Sequence, residues 1–155
     1  MKIVSIAISR EKGTRKTPVT EARVVTDHGL ADDAHAGAWH RQVSFLAQEE
    51  IEKARAKGLD VSFGDFAENI ATTGVDWKTI PVGTKVRLGD HVLVEITQIG
   101  KKCHSKCAIY QMAGDCIMPR EGVFARVLEG GIIRAGDQIL FMAWDKAPSE
   151  PPPSS

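Results

Sequence analysis

Ile3, Val4, Ile6 and Ile8 open the chain as a β-branched run that predicts a strand, and Ala22 to Thr26 predicts a second one after the polar K-G-T-R-K-T-P loop. From Val43 the spacing changes. Val43, Leu46, Ala47, Ile51 and Ala54 fall on one face at helical period, with Glu49 and Lys53 spaced as a supporting pair and Gly58 placed to end the helix. After a loop bearing Gly64 and Gly74, Lys85 to Leu88 and His91 to Gln98 alternate like strands and meet at Gly89-Asp90, a dipeptide that supplies the positive φ of a tight turn.

That hairpin pattern has an echo, since V-R-L-G-D-H-V-L at 86–93 resembles I-R-A-G-D-Q-I-L at 133–140. Two short matches report the demands of a tight turn rather than a repeat architecture. Between them, Phe124, Val127 and Leu128 followed by Gly130-Gly131 predict a short helix over Gly122 to Glu129. The expected fold is α+β and mainly β: a closed or partly open mixed barrel with about two peripheral helices. Residues 1–144 are expected to form one domain, and the Pro/Ser-rich residues 145–155 a disordered tail with no apolar residue larger than alanine or proline.

Composition narrows the functional classes. A chain of 155 residues with 43% hydrophobic residues suits one core. Twenty basic and twenty acidic residues cancel, so nothing global points to nucleic acid or a membrane surface, and any anion site has to be local. No apolar stretch approaches the ~20 residues of a membrane span, and no leader is visible, which together imply a cytoplasmic protein. Three clustered cysteines fit that setting, because a secreted disulfide framework is normally even in number and dispersed.

Those cysteines concentrate the chemistry. Cys103, Cys107 and Cys116 share one stretch with His104, Lys101, Lys102, Lys106, Arg120 and Arg126. Neighbouring cations stabilise a thiolate, the form that attacks electrophiles or binds metal, so Cys103 is a candidate nucleophile and Cys107 its competitor. Cys107, followed by Ala108 and Ile109, reads equally well as a core residue. Cys103 and Cys116 are candidate metal ligands, but C-x3-C with one further cysteine lacks the matched pairs of a structural zinc site. A thiolate that meets a cofactor's metal, or carries sulfur as a persulfide, needs only one exposed cysteine.

A second constellation, H-G-L-A-D-D-A-H-A-G-A-W-H-R-Q-V, brings His28, His35, His40 and Arg41 into a loop ahead of the expected helix. Basic groups and free N–H donors at a helix start suit phosphate, and Arg41 stands where the helix is expected to open. Local hydrogen bonding is the alternative for each histidine. A third, D-F-A-E-N-I, places Glu68 and Asn69 between Phe66 and Ile70. The Asn69 amide suits a ligand's hydrogen-bonding edge, with loop bonding as the commoner role of such a residue.

Taken in order, G-L-x-x-D-A-H-A-G-x-W-H-R-Q-V, G-x-F-A-E-N-I-x-T-x-G, P-V-G-T-x-x-R-L-G-D, E-I-T-Q-I-G-K-x-C-H and G-D-C-I-M-P-R-E-G-V-F-A-R-V-L resemble a small stand-alone MOSC protein. That family is named for the C-terminal domain of molybdenum cofactor sulfurases. The resemblance implies a MOSC-like β-barrel fold, a pyranopterin molybdenum cofactor (molybdopterin) site, and a cysteine that carries sulfur or ligates the metal, for which Cys103 is the best match. Arg41, Lys101, Lys102, His104, Arg120, Arg126, Asn69, His35 and His40 become candidate cofactor contacts. A cysteine desulfurase or an apo-molybdoenzyme becomes the candidate partner. In larger relatives the domain follows a pyridoxal-phosphate-dependent desulfurase, for which this chain has neither the length nor a lysine-centred motif. The alternatives are a molybdenum-cofactor-dependent reductase of N-hydroxylated compounds and a small zinc-binding thiol protein. Where relatives often have Gly-Asp, this chain has Asp32-Asp33, which puts a positive-φ position of the loop in question.

Overall fold

The computed structural model describes residues 1–11, 15–34, 36–100 and 122–142. Their elements run β1 (Lys2–Ile8), β2 (Thr17–Val19), β3 (Glu21–Val25), β4 (Gly29–Leu30), β5 (Val43–Ala47), α1 (Gln48–Ala56) and β6 (Ile70–Thr73), then a 3-10 turn at Trp77–Thr79. They continue with β7 (Lys85–Leu88), β8 (Val92–Ile99), β9 (Val123–Glu129), β10 (Gly131–Arg134) and β11 (Ile139–Phe141). The mainly β character is as expected. Eight strands form one mixed sheet in the order β11-β7-β8-β9-β5-β6-β1-β2, and β10-β3-β4 form a second sheet. The large sheet is not a closed barrel. Main-chain bonds from Ile3 N to Asp137 O (2.9 Å) and from Ile139 N to Met1 O (3.1 Å) nevertheless tie β1 to the approach to β11.

Two expected helices are corrected. Val43–Ala47 is a strand, paired antiparallel to β9 and parallel to β6, and all five of its residues are buried. A strand covered on both faces loses the alternation that identifies strands, so its apolar positions merge with those of the helix behind it. The helix itself starts only at Gln48, buries Ile51 and Ala54, and is ended by Gly58 at φ +98°. Full burial of Ile51 contributes about 2 kcal/mol. Val123–Glu129 is likewise a strand: Val123, Ala125 and Val127 face the inner core while Phe124 is buried on the opposite side. Among the described residues there is therefore one α-helix rather than about two.

The apolar groups divide between the two faces of the sheet. Phe45, Ile70, Trp77, Val86, Val94, Ile96, Val123 and Ala125 belong to the inner core. Leu46, Ile51, Ala54, Phe66, Ala71 and Phe124 form a second core under α1. The echoed Gly-Asp turns take different roles. Gly89 closes the β7–β8 hairpin, whereas Gly136-Asp137 carries the chain from β10 in the small sheet to β11 in the large one. The two turns touch, with Gly89 N donating to Gln138 O at 2.9 Å.

Candidate functional site

The loop between β4 and β5 is held from its first residues. Asp33 Oδ1 accepts from Ser9 N at 3.0 Å and from Lys16 Nζ at 2.7 Å, and both side chains of that ion pair are wholly buried. Ala34 N donates to Ser9 O and Gly37 N to His28 O, each at 2.7 Å. The doubt over Asp32-Asp33 resolves in the backbone. Asp32 itself adopts φ +66°, a left-handed conformation that Asp tolerates better than most side chains, so the positive-φ position is kept.

From this anchored start the loop delivers Trp39, His40 and Arg41 to one place. The Arg41 guanidinium lies 4.5 Å from the centroid of the Trp39 ring and 5.7 Å from that of Phe124 on β9. Its Nε is buried without a hydrogen-bond partner among the described residues. An N–H donor of a permanent cation left in that state costs free energy until an acceptor arrives. His40 Nε2 is 2.9 Å from Gln98 Oε1, and the His40 carbonyl accepts from the Thr97 hydroxyl. Thr97 is the extra residue where the β8–β9 register shifts between Ile96 and Gln98, a bulge that re-aims its side chain.

This cluster sits beside the point where the chain leaves β8 and returns to β9. Gln98 Nε2 donates to Gly100 O at 2.7 Å, and Gly100 N donates to Gly122 O at 2.6 Å, so the residues flanking 101–121 are clasped together. Cys103, Cys107, Cys116, Lys101, Lys102, His104, Arg120 and His35 lie outside the described residues, as does the expected tail. Arg41 also stands seven residues before the helix rather than at its start, so its surroundings are aromatic rings and strand ends, not a helix terminus.

Two other candidates are placed elsewhere. Asn69 is 1% exposed and its amide is taken up inside the fold: Oδ1 accepts from Ser44 N (3.0 Å) and Ser44 Oγ (3.2 Å), while Nδ2 donates to Ala7 O (3.2 Å). It ties β5 to β1. Arg126 Nε pairs with Glu95 Oε1 at 2.9 Å across β8 and β9, an exposed pair of the kind worth at most about 1 kcal/mol. Sequence reasoning did not single out Trp39, Gln42, Gln98 or Phe124. The contiguous W-H-R-Q was the visible signal, an aromatic and an amide flanking a histidine and an arginine.

Glu68 is the buried carboxylate next to Asn69. Burial pushes it from the usual 4.5 up to about 7, against the pull of N–H donors from Gly64 (2.6 Å) and Phe66 (3.2 Å). Because the folded value lies above the unfolded one, this group's stabilising contribution is full below about pH 4.5 and is lost as pH rises through 7. The melting temperature should therefore fall between pH 5 and pH 8 by the equivalent of about 3 kcal/mol at most. Glu68→Gln should flatten that slope in a pH series of thermal melts, and an unchanged slope would assign it to other groups.

A groove of about 520 Å³ lies at the opposite end of β5, lined by Glu49, Glu50, Lys53, Asp76, Trp77 and Lys78 among others. Its three carboxylates against two lysines make it a poor receptor for an anion. Among the described residues no group of three or more His, Cys, Asp or Glu converges as a metal site. No helix among them is long and apolar enough to cross a membrane.

With the fold and this cluster in view, comparison with known proteins places the chain. The model of the MOSC domain matches residues 32–140, and the chain belongs to that family. Its fold is similar to YuaD from Bacillus subtilis, with a TM-score of 0.74 and 16% identity over 89% of this chain and 93% of that one. It is also similar to YiiM from Geobacillus stearothermophilus (TM-score 0.71, 21% identity, 94% of this chain and 77% of that one). YiiM from Escherichia coli superimposes with a TM-score of 0.65 at 19% identity over 93% of this chain and 71% of that one. No curated protein matches the chain.

Proposed function

We propose that this MOSC protein binds the pyranopterin molybdenum cofactor and acts in cofactor sulfur transfer or delivery, with Arg41 receiving the cofactor's phosphate. The observation that carries the reading is the buried Nε of Arg41, without a hydrogen-bond partner among the described residues, beside the clasped residues Gly100 and Gly122 that flank the cysteine-bearing segment. The donor chemistry fits a phosphate: a guanidinium gives charge-assisted, directional bonds, and the Trp39 and Phe124 rings keep it in place. His40, held by Gln98, stands beside it.

The thiol half of the reading rests on covalent reach and on family membership. Cys103 is three residues from Gly100, so its Cα lies within about 11 Å of a residue that borders the Arg41 cluster. Lys101, Lys102, His104 and Arg120 share that tether and would add positive charge for both thiolate and phosphate. Cys107 is the competing thiol, and Cys116 the further metal-ligand candidate. When bound, the cofactor supplies the metal at which sulfur is exchanged; the chain's own part is to hold the phosphate and present the thiol. A cytoplasmic desulfurase or an apo-molybdoenzyme is the partner this role calls for.

Protein purified from molybdate-supplemented cells should carry molybdenum and release a fluorescent oxidised pterin, and both should fall in Arg41→Ala. Loss of a charge-assisted bond weakens cofactor affinity by about 1.5–3 kcal/mol, roughly 10- to 100-fold, without unfolding a loop residue's surroundings. Neither pterin nor metal in the wild type, or equal loading in Arg41→Ala, sinks the assignment.

A further inference from the structure

Arg41 owes its place to a hydrogen-bond substitution by the next residue. Val43 faces Ala125 and Phe45 faces Val123 in the β5–β9 ladder, so the next hydrogen-bonded pair two residues back would set Arg41 opposite Val127. That pair does not form. Val127 N donates instead to Gln42 Oε1 at 2.8 Å, and Val127 O accepts from Asp27 N at 2.9 Å. Gln42 Nε2 donates to Asp27 Oδ1 at 3.0 Å, which closes the ring of contacts, and Gln42 is 1% exposed.

We propose that Gln42 is a positioning residue for the Arg41 site: its side chain takes the ladder position that Arg41's backbone would otherwise occupy, ending β5 at Val43 and releasing Arg41 onto Trp39 and Phe124. The geometry explains why an amide stands here. One end accepts from Val127 and the other donates to the Asp27 carboxylate, and an uncharged carboxamide carries an acceptor and a donor side by side for the two. Leucine, of similar size, would leave the Val127 N–H without its acceptor. The Arg41 carbonyl, in register for it, is then drawn into the ladder and the guanidinium leaves the rings. Asp27, at φ +52°, holds the other half of the arrangement from the turn after β3.

The inference rests on the reading of Arg41 as an anion site for its functional meaning, but its geometry can be tested separately. The Arg41 Nε–H resonance, shifted by the currents of the two rings, reports the guanidinium's position by NMR, and titration with inorganic phosphate reports the site. In Gln42→Leu the ring-current shift should vanish and phosphate affinity should fall about tenfold or more. Gln42→Glu alone sets two carboxylates face to face, and their repulsion should push the side chain at 42 off Val127 N and displace Arg41. Adding Asp27→Asn removes the repulsion, because the amide at 27 now donates to the carboxylate at 42, which again accepts from Val127 N; the shift and the affinity should recover together. This pair of variants also decides the matter if Gln42→Leu does not fold. A folded Gln42→Leu that keeps the wild-type shift, or a folded double variant that fails to regain it, overturns the proposal. Phosphate that leaves the wild-type resonance unmoved sinks the anion reading instead, while the shift comparison still judges the placement of Arg41.

Discussion

Replacing Gly64 by alanine should remove about 4 kcal/mol of stability, enough to leave a domain of this size marginal. A Cβ at that position would stand 2.1 Å from the Lys16 carbonyl oxygen, and the obstructing atom is backbone, so nothing can rotate away. Relief requires moving Gly64 off Lys16, which breaks the Lys16 N to Gly64 O bond of 2.8 Å and disturbs the Gly64 N–H held by Glu68. The residue also sits at φ +87°, where any Cβ is strained. Gly58 separates the two causes: it has φ +98° but nothing within 4 Å of its added Cβ. Gly58→Ala should cost only the conformational strain, about 1 kcal/mol. Urea unfolding of the two variants checks the difference, and equal losses would show that the close approach to Lys16 does not matter.

The contrast between those two glycines also marks what a sequence can disclose. Gly58 was legible as a helix end because its signal is local, whereas the collision at Gly64 depends on Lys16, far away along the chain. The same division runs through the strands. β1, β3 and the β7–β8 hairpin were readable because a β-branched run or a Gly-Asp turn states the element within a few residues. β5 was misread as helical because both its faces are buried, which erases the period of two, and β9 because Phe124 and Leu128 put apolar residues on the face opposite Val123, Ala125 and Val127. At the site, Arg41 and His40 were identifiable by residue type, since basic groups in a glycine-bearing loop suit an anion. Their neighbours were not, because His40 meets Gln98 at a separation of 58 residues and Gln42 meets Val127 at 85. Lys16, in a segment that read as a polar loop, gave no sign of being buried.

Lys16→Met is expected to cost about 3–5 kcal/mol, because it strands the Asp33 carboxylate where neither partner of the original pair has any exposure. The cost is desolvation rather than lost attraction. Asp33 without its ammonium keeps the Ser9 N–H at 3.0 Å, but a neutral backbone donor does not replace the opposite charge that offsets the transfer of a carboxylate out of water. Removing both charges should therefore hurt less than removing one. In Lys16→Met with Asp33→Asn, the amide oxygen can still accept from Ser9 and no charge remains buried, so the loss should drop below about 2 kcal/mol. A double-mutant cycle in urea measures this directly, and losses that simply add would show the pair to be two independent contacts. The cycle bears on function through the loop. Asp33 and Ala34 are the points at which the segment carrying Trp39 and Arg41 is fastened to Ser9, so an ion pair that adds little net stability still selects one placement of that segment. The charge-free double variant should accordingly stay folded while its Arg41 Nε–H resonance broadens or shifts relative to the wild type, separating the stability of the loop's anchor from the single position that the anchor imposes.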